Sequence, residues 1–323
     1  MSDIDVLVLR RGTHGMPAAD YATELRDRLP DHTVRLAGTP SEERELAERA
    51  RIITSVDIDP ELVERATDME LFAGVAAGYG HLPLDEMAAQ GAAVTNASGI
   101  HAPNIAEQVL SYVLTFTRNL REGLERQNRR EWRHYQAEEF KDSTVTVVGL
   151  GAIGQAIVQR LNGFEVETIG VRYTPEKGGP TDEVIGFDRD EVHDVLSRTD
   201  YLVVAAPLTD ATRGLVDADA FETLPQDAYL VNVGRGPIVD SDALVSALQS
   251  NAIGGAALDV TDPEPLPQDH PLWRFRNVII TPHNAGHSPA HWDRLADIVA
   301  GNVRRLDEGA TPGELENLVR APE

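Results

Sequence analysis

The chain has 323 residues, 41% of them apolar, which is about two domains of material with enough apolar side chains for two cores. It contains no cysteine, so a disulfide framework, a thiolate nucleophile and a cysteine-ligated metal are all excluded. With 53 acids against 29 bases, the formal charge of -24 at pH 7 disfavours nucleic acid and anionic membrane surfaces as partners.

Lysine occurs only at 141 and 177, every other base being arginine. Arginine use alone is consistent with genome composition. A large acid excess with so little lysine also suits a salt-accumulating cytoplasm, where concentrated salt screens self-repulsion, and a halophilic protein is expected. Acids stand in the first residues where a secretory leader carries bases, and no apolar stretch reaches membrane-spanning length. A cytoplasmic location without membrane contact is therefore expected.

In chain order, β-branched or apolar runs predict strands over Ile4–Leu9, Thr33–Leu36, Arg51–Thr54, Leu71–Val75 and Ala93–Thr95. Helical periodicity falls on Ala18–Leu29, Glu42–Ala50 and Pro60–Ala66. Strands alternating with helices imply a parallel sheet. No phosphate-type glycine turn follows the first strand, so this unit is a poor nucleotide site. Ala73–His81 is rich in glycine and alanine after an apolar strand. Its free amides suit an anion, and its glycines equally suit a tight turn needing positive φ. Pro103–Leu120 is the most strongly periodic helix, opened by a proline suited to the first turn, and is expected at the boundary between two domains. Arg121–Tyr135 predicts a further, polar helix whose Trp132 serves either a dimer contact or a core.

Thr144–Gly154 then places a β-branched run directly before Gly149-Leu150-Gly151-Ala152-Ile153-Gly154 and an apolar-periodic helix. Strand, glycine turn and helix come in the order a dinucleotide site requires. Gly149 permits the turn, Gly151 lets backbone approach a pyrophosphate, and Gly154 lets helix pack on strand. Ala152 and Ile153 open a helix whose free N–H groups face the phosphates. A plain surface turn is the alternative. The next strand, Val166–Val171, ends in Arg172-Tyr173-Thr174. An acid about 20 residues past the glycines accepts from the ribose 2′-hydroxyl in NAD-binding versions. Arg172 stands there instead, and its guanidinium suits a 2′-phosphate, with Thr174 and Lys177 as further donors. NADP(H) is therefore preferred, with NAD(H) as second candidate, unless Arg172 is only a solvated strand end.

Further buried-looking strands, Tyr201–Ala205, Tyr229–Val233, Gly255–Leu258 and Val278–Thr281, each run into a loop of polar or glycine residues. Ligands bind at the carboxyl ends of strands in such sheets. Ser288–Leu306 closes the chain as a long helix with Ser288 as N-cap and Pro289 first. His287 and His291 lack a third ligand, and no metal is expected.

Gly149–Gly154, Val231–Gly236, Ala257–Val260 with Pro263–Pro267, and Asn277–Gly286 together resemble the D-isomer-specific 2-hydroxyacid dehydrogenase family over nearly the full chain. The resemblance implies an α/β protein of two doubly wound parallel-sheet domains. A flavodoxin-like substrate domain takes residues 1–100 and 288–323, and a Rossmann cofactor domain takes residues 101–287. It implies a cleft between them, a homodimer, and a small-molecule 2-oxo or 2-hydroxy acid substrate. The implied catalytic set is Arg235, Glu264 and His283. Further cofactor contacts fall on Tyr173, Pro207, Thr212, Val233, Asp259 and Gly286. The amides of Ala77, Gly78, Tyr79 and Gly80 would hold the substrate carboxylate opposite Arg235. The family more often carries an acid at 172, and an aliphatic residue and an acid at 79 and 80.

Each implied role has a physical basis. Arg235 offers a rigid fork for a carboxylate and charge towards an oxygen that turns negative. His283 can supply a proton because imidazole titrates near neutrality. Glu264 would bond His283 and stabilise the imidazolium, favouring reduction at lower pH. The expected activity is reduction of small or medium 2-oxo acids to D-2-hydroxy acids. The alternatives are a glyoxylate or hydroxypyruvate reductase and a non-catalytic nucleotide-sensing protein on the same fold.

Overall fold

A computed structural model describes residues 4–13 and 15–323. Residues 1–3, part of the case against a leader, lie outside the described residues. The chain divides into two compact units, one of residues 1–100 with 287–323 and one of residues 101–286.

In the first unit, β1 (Ile4–Val8), β2 (Val34–Leu36), β3 (Ala50–Ser55), β4 (Leu71–Gly74) and β5 (Ala93–Thr95) form a parallel sheet ordered 2-1-3-4-5. This is the flavodoxin-like doubly wound order. The strand Leu318–Arg320 adds to β5 antiparallel, an exception at one edge to the expected all-parallel sheet. Helix Ala18–Arg28 packs on helix His291–Asp307, with Tyr21 stacked on Trp292 at 4.7 Å. Leu25, Leu295, Val299 and Val303 are buried in the same core as Val6, Ile52 and Leu71. The closing helix starts later than the proline suggests: Ser288 accepts from the Ala290 N–H at 3.2 Å, and Ala290 is the cap.

The second unit has seven strands, β6 (Thr144–Val148), β7 (Glu167–Val171), β8 (Glu183–Ile185), β9 (Tyr201–Val204), β10 (Tyr229–Asn232), β11 (Gly255–Leu258) and β12 (Val278–Ile280). All are parallel, ordered β12-β11-β10-β9-β6-β7-β8. The order 3-2-1-4-5-6 with a seventh strand is the dinucleotide-binding arrangement, and its reversal point lies between β6 and β9. The central strands are buried along their length because helices cover both faces. Aspartates start several of those helices: Asp188, Asp217 and Asp240 each accept from first-turn N–H groups.

Helix Ala102–Thr117 packs on helix Ala152–Leu161 inside this unit, burying Ile105, Val109 and Val113 with Val145 and Ile157. The polar helix after it is shorter than its sequence suggests, Leu120–Asn128. Trp132 lies beyond its end and is fully exposed, which removes the core alternative for that residue. Among the described residues no helix is long and apolar enough to cross a membrane.

Candidate active site

The three motif glycines of the turn after β6 face different surroundings. Gly149 sits at φ +98°, and a side-chain carbon there would lie 2.7 Å from the Ala206 Cα. At Gly154 that carbon would lie 1.9 Å from the Gly149 carbonyl oxygen. At Gly151 it would meet nothing within 4 Å, just where helix Ala152–Leu161 presents its first amides. Ala152 and Ile153 are the first two residues of that helix. Turn geometry thus requires glycine at 149 and close packing requires it at 154, whereas 151 borders open space.

That space belongs to a cavity of about 620 Å³ lined by Gly149, Gly151, Arg172, Thr174, Lys177 and Pro207, among others. Arg172 leaves β7 into it, its backbone N–H bonded to Ile185 and its guanidinium to the Gly178 carbonyl. Tyr173 is exposed beside it. Thr212 closes the Pro207 loop, its hydroxyl donating to the Pro207 carbonyl at 2.7 Å and accepting from the Thr209 N–H at 2.8 Å.

The loop after β10 carries Arg235. Val233 is buried, Asn232 accepts from the Gly234 N–H at 3.1 Å, and Arg235 donates to the Gly234 carbonyl at 2.7 Å. Among the described residues Arg235 forms no ion pair, so a loop salt bridge does not account for it. Glu264 follows β11 on a proline-rich loop, and its Oε1 meets His283 Nδ1 at 2.7 Å. Both side chains are open to solvent, at 42% and 51%, where such a pair adds little stability. Its effect is orientation. An ionised carboxylate only accepts, so Nδ1 carries a proton and Nε2 is the ring nitrogen left for another partner.

Asp259, directly after β11, is almost wholly buried. Its carboxylate accepts from the Thr281 hydroxyl, the Asn284 N–H at 2.8 Å and the Ala285 N–H at 2.9 Å. The neighbouring Gly286 carbonyl meets His101 Nδ1 at 2.9 Å. Sequence reasoning placed Asp259 among the cofactor contacts and did not foresee its hold on this loop. Nor did it find Thr281 and Tyr112, whose hydroxyls meet at 2.5 Å although the residues lie on β12's carboxyl end and on a covering helix. Arg235, Glu264 and His283, with the glycine turn, stand at the carboxyl ends of one sheet.

In the first unit, Ala77–Gly80 follows β4 and is exposed. Gly78 and Gly80 are outside the positive-φ region and meet nothing within 4 Å, so the tight-turn reading does not explain them. The loop is held by the Asn96 amide donating to the Ala77 carbonyl at 2.6 Å and by the Leu82 N–H donating to Tyr79 at 3.0 Å.

Residues 110–285, more than half the chain, match the family model described as D-isomer specific 2-hydroxyacid dehydrogenase, NAD binding domain. The glyoxylate reductase of Thermofilum pendens is 33% identical over 267 residues, covering 80% of this chain and 78% of its own. The human glyoxylate reductase/hydroxypyruvate reductase is 34% identical over 259 residues, 78% of each chain. The crystal structure of a D-isomer specific 2-hydroxyacid dehydrogenase from Xanthobacter autotrophicus Py2 in complex with NADPH and MES has a TM-score of 0.81 and 28% identity over 98% of each chain. This chain belongs to the D-isomer specific 2-hydroxyacid dehydrogenase family and is an NAD(P)-dependent oxidoreductase acting on 2-hydroxy acids.

Proposed function

We propose that this chain is an NADP(H)-preferring reductase of small or medium 2-oxo acids, glyoxylate and hydroxypyruvate among them. The observation that carries the reading is the 2.7 Å contact between His283 and Glu264 on the carboxyl side of the sheet that also bears Arg235, which forms no ion pair among the described residues. The relatives named glyoxylate reductase support the small substrate.

The residues present fit a nicotinamide dinucleotide, because open space at Gly151 meets the helix amides and continues to Arg172. Gly149, Gly151, Ala152, Ile153 and Gly154 would hold its pyrophosphate, and Arg172, Tyr173 and Thr174 its 2′-phosphate. Pro207, Thr212, Val233, Asp259 and Gly286 would line the remainder. Bound, the nicotinamide supplies or takes up a hydride. Arg235 binds the substrate carboxylate and stabilises charge growing on the neighbouring oxygen. Ala77, Gly78, Tyr79 and Gly80 offer backbone amides to the same carboxylate class. His283 hands a proton from Nε2 to the substrate oxygen while Glu264 holds Nδ1. The NADPH held by the Xanthobacter relative favours the phosphorylated cofactor.

NADPH and NADH oxidation with glyoxylate, hydroxypyruvate, pyruvate and branched 2-oxo acids, from dilute buffer to multimolar KCl, tests this reading. Turnover should favour NADPH, and Arg172→Asp should lower the NADPH/NADH ratio of kcat/KM by about 100-fold, as loss of charge-assisted bonds implies. The charge of -24 supports a reading of best activity at high salt, in a cytoplasm that supplies it; full stability in dilute buffer removes that part. The family's homodimer is proposed on exposed Leu120, Leu124 and Trp132, and a monomer mass by light scattering removes it. No turnover with any 2-oxo acid leaves the nucleotide-sensing reading.

A further inference from the structure

His283 holds a backbone conformation that side-chain-bearing residues avoid. Its φ is +52°, in the left-handed region, where a side-chain carbon crowds the following carbonyl oxygen. Such a turn persists only where the surroundings impose it. The imposing group is Asp259. Its carbonyl accepts the His283 N–H at 2.8 Å, and its carboxylate accepts the Asn284 and Ala285 N–H groups at 2.8 and 2.9 Å and the Thr281 hydroxyl. One buried residue therefore grips the backbone at the histidine and just after it, and the side chain two positions before it.

The grip continues into the helix layer. Thr281 has a single hydroxyl proton, and a carboxylate can only accept, so that proton is spent on Asp259. The 2.5 Å contact between Thr281 Oγ1 and Tyr112 is then donated by the tyrosine. Burial raises the Tyr112 pKa above its ordinary value and keeps that donor protonated. Tyr112 is itself almost wholly buried on helix Ala102–Thr117, beside Val109 and Val113 in the core of the unit. A rigid element is thus linked by two hydrogen bonds to the carboxylate that shapes the histidine turn.

We infer that Tyr112 and Thr281 are positioning residues for the reaction: through the Asp259 carboxylate they hold the left-handed turn that aims the His283 ring at Glu264. The inference rests on His283 as the proton-transferring group. Among the described hydrogen bonds neither side chain is bonded to that ring; both act on the direction of Nε2. A misdirected proton donor slows chemistry while leaving ground-state binding intact, so the defect falls on kcat.

Thr281→Val keeps the side-chain shape and deletes the hydroxyl. It should lower kcat for 2-oxo acid reduction by about 30-fold, within the ~100-fold that a misplaced group costs, with KM and the NADPH Kd within about 2-fold. Tyr112→Phe should lower kcat by about 3-fold by the same route, and Thr281→Ser, which restores the hydroxyl, should recover most of the activity. In nucleotide-free protein, the hydrogen-bonded Nδ1 proton of His283 is followed by NMR and identified by its loss in His283→Asn. It should vanish into solvent exchange in Thr281→Val and persist in Thr281→Ser. Thermal melts select variants that remain folded. Wild-type kcat with the proton signal retained in folded Thr281→Val overturns the inference, as does an equal defect in Thr281→Ser. An inactive wild type ends the proposed function instead, while the proton signal still decides whether the clamp exists.

Discussion

Two loops of this molecule look alike in sequence, each a cluster of glycines and small residues directly after an apolar strand. They are built on different terms. After β6, Gly149 and Gly154 are demanded by the chain's own geometry, one by its φ of +98° and both by neighbours at 2.7 and 1.9 Å from where a side chain would start. After β4, Gly78 and Gly80 have ordinary φ values and open space around them. In the first loop glycine is needed to fold; in the second nothing in the fold needs it. Gly151 belongs with the second kind although it stands inside the first motif, since it too meets nothing within 4 Å.

Substitution to alanine breaks or sharpens that distinction. Gly154→Ala should be the most severe, destabilising by about 3 kcal/mol in denaturant titration and abolishing measurable NADPH binding, because the helix must retreat from the Gly149 carbonyl. Gly149→Ala should cost about 2 kcal/mol through its φ and its contact with Ala206. A small loss at either position would mean that the turn relaxes and that the distinction is one of degree. Gly151→Ala should leave stability within about 0.5 kcal/mol yet weaken NADPH by about 10-fold in fluorescence titration, since only a ligand meets that face. Gly78→Ala should be the mildest, near neutral in melting temperature with KM for the 2-oxo acid raised about 3-fold. An unchanged KM would detach that loop from the substrate.

The sheets were legible because their strands are short apolar runs separated by helical periodicity, a local signal. Edges were less so. Glu183–Ile185 is three half-buried residues beside Asp182, and Leu318–Arg320 is half-buried with an arginine at its end, so neither reads as a core strand. Arg235, Glu264 and His283 could be named because each stands in a contiguous motif at a strand end. The clamp on His283 could not, since Tyr112 and Thr281 lie 169 positions apart and meet only once the helix has packed on the sheet. Nor could the division of labour among glycines, which depends on what the folded neighbours bring near.

The first unit draws its core from both ends of the chain, Tyr21 and Leu25 meeting Trp292, Leu295 and Val299. During synthesis those partners are separated by the whole of the cofactor unit, which is contiguous from 101 to 286. Chains grow from the amino end at about 5–20 residues per second, so the opening sheet waits roughly 10–40 seconds for its closing helix. The first unit cannot complete its core before the second unit has been made, and a chain that has emerged from the ribosome as far as residue 286 would display a whole nucleotide domain tethered to an apolar sheet still missing its cover.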